Sequence, residues 1–369
     1  MSWEYIQPVR IIFGRGKRKE TFQIAKESGF QRGMLVCSPF FERSGFAAAF
    51  CEKSAGMLID VFSDITPNPT TSAVDACAER IRACGADFIV ALGGGSPMDL
   101  AKAAAVIAPR GDSITKYHNT GLPVPDQALP LIALPTTSGS GSEVSAASVL
   151  SDEKGVKNSI FGKSLFPVAA IVDPELTYTV PAKITAQSGL DALSHAIEGV
   201  TSIYNQPICD ALAVQAVRLI FKHLREAVAG DHLARDYMAQ ASVLAMLAFA
   251  LPKSGPPHAF SYGPTGRYGI PHGEACALTL DYFLELAAVK EGARLNDFAV
   301  QAGFSDVSAL ASGIRTLKQD LGMLTDLKGF RLTDADVKEL VHDAKRAGMK
   351  NSPLPITEEM LYALYERLR

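Results

Sequence analysis

Asp191 and His195 stand four residues apart in Gly189-Leu-Asp-Ala-Leu-Ser-His-Ala-Ile-Glu-Gly199, a stretch of helical composition. At that spacing both side chains leave one helix face about a turn apart. A carboxylate and an imidazole so placed can share one divalent ion, although a hydrogen bond on the helix surface is the ordinary explanation of such a pair. The later segment Pro256-Pro-His-Ala-Phe-Ser-Tyr-Gly-Pro-Thr-Gly-Arg-Tyr-Gly-Ile-Pro-His-Gly273 changes that balance. His258 and His272 flank what reads as a loop rich in Gly and Pro, and a rigid excursion there returns two imidazoles to a common point. Asp191, His195, His258 and His272 then offer one oxygen and three nitrogen donors, a set that suits Fe(II) or Zn(II) and leaves room for a substrate oxygen. His118, His223, His232 and His342 have no such partners in sequence and are read as surface or capping residues.

Two glycine-rich segments carry a second kind of chemistry. Phe88-Ile-Val-Ala-Leu-Gly-Gly-Gly-Ser-Pro-Met-Asp-Leu-Ala-Lys102 runs from a buried strand through Gly93, Gly94 and Gly95 into a helix. Ser96 is expected as its N-cap, Pro97 as its first residue and Asp99 as the capping-box partner. Free N–H groups and the helix dipole there favour an anion such as a pyrophosphate, yet the spacing is not the GxGxxG fingerprint and a plain tight turn also fits. Leu134-Pro-Thr-Thr-Ser-Gly-Ser-Gly-Ser-Glu-Val144 again follows a strand and is crowded with hydroxyls and backbone donors. Two such loops at neighbouring strand ends hold both ends of a dinucleotide; each alone also reads as a surface turn. Gly14-Arg15-Gly16 lacks a third glycine and is read as a turn.

These groups need a scaffold, and the 369 residues suffice for two domains. The sequence is 47% apolar and 20% charged with 30 glycines, the proportions of a globular protein. A net charge of −3 gives no basic excess of the kind a nucleic-acid surface needs. The first residues lack the pattern of a secretory leader, and the longest apolar run, Ala241 to Leu251, is too short to span a bilayer, so the expectation is a cytoplasmic protein with no membrane partner. Six scattered cysteines form no CxxC pair and are read as reduced thiols in packed interiors.

Strand-like runs at Val9 to Phe13, Gly33 to Cys37, Met57 to Phe62, Phe88 to Leu92 and Leu131 to Leu134 alternate with helical segments such as Thr70 to Cys84 and Pro97 to Ile107. That alternation predicts an α/β domain with a mostly parallel sheet over residues 1–181. Ala211 to Ala227, Leu233 to Leu251, Ala275 to Ala288 and Asp334 to Arg346 predict an all-helical domain over residues 182–369.

In their order along the chain, Ile12-Phe-Gly-Arg-Gly16, Gly93-Gly-Gly-Ser-Pro-Met-Asp-Leu-Ala-Lys102, Pro135-Thr-Thr-Ser-Gly-Ser-Gly-Ser-Glu143, Val172-Asp-Pro-Glu-Leu-Thr177, Asp191-Ala-Leu-Ser-His-Ala-Ile-Glu-Gly199 and Pro271-His-Gly273 resemble the iron-containing (group III) alcohol dehydrogenases, relatives of glycerol dehydrogenase and dehydroquinate synthase. The resemblance implies a dehydroquinate synthase-like fold, with a Rossmann-like parallel-sheet domain before a helical metal-binding domain. It implies metal ligands at Asp191, His195, His258 and His272, and a pyrophosphate loop at Gly94, Gly95 and Ser96, with Asp99 in the same motif. It also implies a second cofactor loop at Thr136, Thr137 and Ser142, a basic residue near the nicotinamide ribose at Lys157, and a homodimer. The activity implied is a metal-dependent, NAD(P)-linked alcohol dehydrogenase or aldehyde reductase, in which the metal polarises a carbonyl oxygen and the nicotinamide delivers hydride.

Two positions depart from the family pattern. Pro39 stands where an aspartate often binds the adenosine ribose hydroxyls, so repulsion of a 2′-phosphate is absent and NADP(H) is admitted beside NAD(H). Tyr262 stands where many members carry a further histidine, which assigns proton relay either to Tyr262 or to solvent. Lys253 and Arg267, around the ligand loop, would suit an aldehyde carrying an anionic group, though charge alone fits two solvated loop residues as readily. The segments around Tyr262 and Tyr268 resemble the phosphonoacetaldehyde reductase branch, which implies reduction of phosphonoacetaldehyde to 2-hydroxyethylphosphonate. A general short-chain alcohol dehydrogenase and, in another class, a dehydroquinate synthase-like lyase are the alternatives.

Overall fold

The alternation of apolar runs and helical segments in the first half of the chain resolves, in the computed structural model describing residues 3–369, into one parallel sheet with helices on both faces. In chain order its elements are β1 (Arg10–Phe13), α1 (Thr21–Glu27), β2 (Gly33–Cys37), α2 (Pro39–Arg43), α3 (Phe46–Lys53), β3 (Leu58–Phe62), α4 (Thr71–Cys84), β4 (Phe88–Gly93), α5 (Gly95–Ile107), β5 (Leu131–Pro135), β6 (Ala147–Ser151), β7 (Lys157–Phe161) and β8 (Ala169–Val172). The six-stranded sheet has the order β1-β8-β5-β4-β2-β3, and β6 and β7 form a separate antiparallel hairpin. Alternate residues of the central strands feed opposite cores. Met34, Val36, Ile89 and Ala91 pack under α4 and α5, while Leu35, Cys37, Val90 and Leu92 pack against α1, α2 and α3. Burial of each large aliphatic side chain stabilises by about 1.5–3 kcal/mol.

Register sets where the loops emerge. Cys37 lies opposite Leu92, and Gly93 opposite Pro135. The turns at Ser38, Gly94 and Thr136 therefore leave one edge of the sheet together. The chain after β2 turns away to β3, whereas the chain after β4 crosses to β5 on the other side, so β2 and β4 flank the topological switch point where open α/β sheets bind ligands.

The rest of the chain is helical: α6 (Ala182–Thr201), α7 (Pro207–Val228), α8 (His232–Phe249), α9 (Pro256–Tyr268), α10 (His272–Leu278), α11 (Leu280–Ala302), α12 (Val307–Asp320), α13 (Asp334–Ala344) and α14 (Glu358–Leu368). One core joins α6, α7, α8, α11 and α12; a second joins α9, α10, α13 and α14. By contacts the chain divides between Tyr178 and Thr179, where the sequence pattern places the change at Pro181. The short segment Ser138–Ser140 and residues 3–5 group with the helices. No helix of the described residues is long and apolar enough to cross a membrane.

Several local expectations are corrected. Residues 256–268 form a helix where a loop is expected, because Pro256 and Pro257 occupy first-turn positions that need no N–H. The helix expected over Ala275 to Ala288 is broken at Thr279. The strand β8 and the β6–β7 hairpin have no counterpart in the sequence reading. Helix α5 starts at Gly95 with Gly94 as an uncapped N-cap, so Ser96 and Asp99 form no capping box. His118 is buried, its Nε2 3.2 Å from the Leu150 carbonyl oxygen.

Candidate active site

Three helices bring the predicted donors together. Asp191 and His195 project from the buried part of α6, His258 lies in the first turn of α9, and His272 opens α10. Asp191 Oδ1 is 3.9 Å from His272 Nε2 and 4.0 Å from His258 Nε2. Two ligands about 2.1 Å from one ion can be no more than about 4.2 Å apart, so these separations fit a shared cation. Asp191 Oδ1 is buried and accepts no hydrogen bond, an arrangement that is costly unless a cation meets it.

The tight approach depends on Gly273. A Cβ there would come within 2.8 Å of Asp191 Cβ, so only glycine lets the start of α10 lie on α6 and carry His272 to the carboxylate.

Cys276 joins this group although the sequence reading gives it no role. Asp191, His258, His272 and Cys276 have donor atoms within 4.8 Å of one another, and Cys276 Sγ is 3.8 Å from both ring nitrogens of His272. The signal was present, since His272 and Cys276 share the four-residue spacing of Asp191 and His195. His195 itself stands beside this set. Its ring centroid lies 4.9 Å from that of His258 and 4.6 Å from that of Phe249, and its buried Nδ1 has no hydrogen-bond partner. Burial, opposed by Asp191, holds the His195 ring below its usual titration range.

Glu198, in the same α6 motif as Asp191 and His195, carries no sequence signal of its own and holds the site from behind. Fully buried, it accepts the Gly255 N–H at 2.6 Å through Oε2 and meets His258 Nδ1 at 2.5 Å through Oε1. One carboxylate thus fixes the start of α9 and the first imidazole on it. With Nδ1 committed to Glu198, Nε2 of His258 is the nitrogen turned toward Asp191.

Tyr262 follows His258 by one turn of α9, and the guanidinium carbon of Arg346 lies 4.9 Å from its ring centroid. The two cations expected near substrate are placed differently. Arg267 is bound by Asp343 at 2.5 Å and Glu339 at 3.0 Å, so its charge is already met by two carboxylates. Lys253 lies over the Tyr204 ring at 5.4 Å.

In the α/β unit the two glycine-rich turns lie side by side. Thr136 donates its N–H to the Gly93 carbonyl at 2.9 Å, and a Cβ on Gly94 would sit 3.0 Å from Thr137 Oγ1. The N–H groups that open α5 have no side-chain cap, the ordinary setting for a bound phosphate. Pro39 opens α2 on the opposite side of the switch point. Asp99 points away from the turn and ties the following segment: its carboxylate accepts the Ser142 hydroxyl at 2.6 Å and the Val149 N–H at 3.0 Å. Beside it the buried Lys102 donates to Ser142 Oγ and to the Ser145 and Ala147 carbonyls at 2.8 to 3.0 Å. Burial pushes Lys102 down to about 8, against the pull of Asp99, and pushes the neighbouring Glu143 up to about 7. Lys157 begins β7 of the hairpin.

Against known proteins, residues 8–174 match the family model of iron-containing alcohol dehydrogenase, and residues 185–368 match that of the C-terminal part of the Fe-containing alcohol dehydrogenase family. Among solved structures, sulfoacetaldehyde reductase from Bifidobacterium kashiwanohense in complex with NAD+ is 48% identical, with a TM-score of 0.97 over 100% of this chain and 99% of that one. Long-chain-alcohol dehydrogenase 1 of Geobacillus thermodenitrificans is 34% identical over 97% of this chain and 96% of its own. Sulfoacetaldehyde reductase of Bilophila wadsworthia is 30% identical over 99% of both chains.

Proposed function

Since the chain belongs to the iron-containing alcohol dehydrogenase family, we propose that it reduces a short aldehyde carrying a sulfonate to the matching primary alcohol, consuming one nicotinamide hydride and one proton per turnover. The observation that carries this reading is the 48% identity, over the full length, to a sulfoacetaldehyde reductase. A phosphonate presents a similar tetrahedral oxyanion, so phosphonoacetaldehyde is the second substrate to compare. A neutral short-chain aldehyde is the third.

Asp191, His195, His258 and His272 would hold the divalent metal, Fe(II) or Zn(II), their donors being the types both ions accept. When bound, that ion supplies Lewis-acid polarisation of the substrate oxygen. Gly94, Gly95 and Ser96 offer backbone N–H groups to the dinucleotide pyrophosphate, and Thr136 and Thr137 offer hydroxyls beside them. Lys157 is assigned to the ribose next to the nicotinamide. The Tyr262 hydroxyl, on the His258 face of α9, is assigned the proton that completes the alcohol. The relative bound to NAD+ supports NADH as the reductant, while Pro39 leaves NADPH admitted.

The test is NADH and NADPH consumption by metal-loaded protein with sulfoacetaldehyde, phosphonoacetaldehyde and propanal. The reading requires a kcat/KM for sulfoacetaldehyde at least about 10²-fold above that for propanal, the scale of a well-made charge-assisted contact. Phosphonoacetaldehyde ahead of sulfoacetaldehyde would transfer the assignment to the phosphonate. Equal turnover of propanal would return the protein to the general alcohol dehydrogenases.

A further inference from the structure

An anionic substrate needs a cation that the protein has not already neutralised. Two cations around α9 and α13 are already paired: Arg267 holds Asp343 and Glu339, and Lys345 holds Glu358 at 2.5 Å. Arg346 is different. Its Nε donates to the Asp343 backbone carbonyl at 3.1 Å, and among the described residues it forms no ion pair. Its guanidinium carbon stands 4.9 Å from the centre of the Tyr262 ring.

The position of Arg346 is built into the fold. It sits in extended conformation between the end of α13 and a 3₁₀ turn at Ala347–Asn351. That turn presses on the start of α9: a Cβ on Gly348 would come within 2.8 Å of the Gly255 carbonyl oxygen, so glycine is needed for the approach. The Asn351 amide donates to the Ser254 carbonyl at 2.7 Å and fastens the same contact. Arg346 is thereby carried over the side of α9 where His258 and, one turn on, Tyr262 project. An arginine lying near an aromatic face keeps its planar fork of N–H donors available, and that fork matches two oxygens of a tetrahedral oxyanion.

We propose that Arg346, held over Tyr262, is the residue that binds the sulfonate of the aldehyde substrate and so sets the preference for an anionic head group. This rests on the sulfonate reading above and deepens it, replacing the paired Arg267 with Arg346 as the recognising cation. A substrate whose carbonyl end lay at the Asp191, His258 and His272 donors and whose sulfonate lay at Arg346 would have both ends fixed, which is what hydride transfer to one carbon requires.

The experiment compares wild type, Arg346→Gln, Arg346→Lys and Arg267→Gln, each loaded with metal, on sulfoacetaldehyde, phosphonoacetaldehyde and propanal. Inhibition of propanal reduction by ethanesulfonate gives a readout of head-group binding that needs no turnover of the anion. Arg346→Gln is expected to lower kcat/KM for the anionic aldehydes at least about 30-fold, mainly through KM, to leave propanal within about threefold, and to abolish inhibition by ethanesulfonate. Arg346→Lys is expected to recover part of the loss, since it keeps the charge without the planar fork. An equal loss on propanal would mark Arg346 as merely structural and overturn the proposal. So would a variant that keeps its sulfonate preference, or a loss that appears only in Arg267→Gln. If wild type itself shows no preference for either anion, the sulfonate reading fails first, and that result is distinct from a preference that survives Arg346→Gln.

Discussion

His258 Nδ1 and Glu198 Oε1 lie 2.5 Å apart, with the carboxylate wholly out of solvent and its other oxygen on the N–H of Gly255, the N-cap of the same helix. The imidazole is therefore oriented by a residue that offers no atom of its own to the ligand cluster. Replacing Glu198 with Gln should leave a folded protein whose metal affinity drops roughly 10–100-fold, the usual effect of removing such a partner. Competition against a calibrated chelator reads this directly, and the visible spectrum of the Co(II)-loaded protein should shift as the ring tilts. Unchanged affinity and spectrum would remove Glu198 from the site.

Metal should stabilise the native chain, because the donors converge only when α6, α9 and α10 are packed. At a free ion concentration 100 times Kd the gain is about 2.7 kcal/mol. Adding Fe(II) or Zn(II) is expected to raise Tm, and Asp191→Asn to cancel the rise. In metal-free form Asp191→Asn should be at least as stable as wild type, since it removes the charge from a buried carboxylate whose Oδ1 has no partner. A metal-free variant clearly less stable than metal-free wild type would mean that Asp191 serves packing and not an ion.

Pro39→Asp tests the nucleotide side. Position 39 opens α2 at the switch point, where an acidic residue is tolerated by the helix and would oppose a 2′-phosphate. The variant is expected to lose at least about tenfold in kcat/KM with NADPH while that with NADH holds or improves. NADPH use that does not change would place the adenosine ribose elsewhere.

Glu143 links the α5 cluster to pH. Burial raises its carboxyl from an ordinary 4.5 to about 7, so between those values the native state holds a proton that the unfolded chain releases. Stability from this group is complete below about pH 4.5 and is lost as pH rises through 7. Glu143→Gln should accordingly gain in Tm relative to wild type between pH 5 and pH 8, by an amount equivalent to no more than about 3 kcal/mol. A difference in Tm that stays constant across that interval would show that the carboxyl titrates normally.

Much of the fold was legible because its signals are local. Gly33–Cys37 is predicted to the residue, since a fully buried strand reads as an unbroken apolar run. The hairpin strand Lys157–Phe161 is only partly buried and carries Lys, Asn and Ser, so nothing in its composition separates it from a loop. Residues 256–268 deceive for another reason: their glycines and prolines resemble a loop, but Gly263 is small because Leu340 packs on it, and a Cβ there would come within 2.8 Å of Leu340 Cδ2. The predicted donors Asp191, His258 and His272 meet because spacing and residue type announce them. Glu198 and Arg346 were missed because their contacts are tertiary. Glu198 reaches His258 across the fold, and Arg346 comes from a turn beyond α13.

The clasp around Lys102 has a property that follows from counting hydrogens. Its Nζ is within 3.2 Å of four oxygens: Ser142 Oγ, Ser145 O, Ser145 Oγ and Ala147 O. An ammonium has three hydrogens to share among them, and a neutral amine has two. With loss of the proton brought down to about 8, mildly alkaline solution leaves two of the four oxygens without a donor from this side chain. The tie between α5 and the segment from Ser142 to Ala147 thus rests on three shared hydrogens below that range and on two above it.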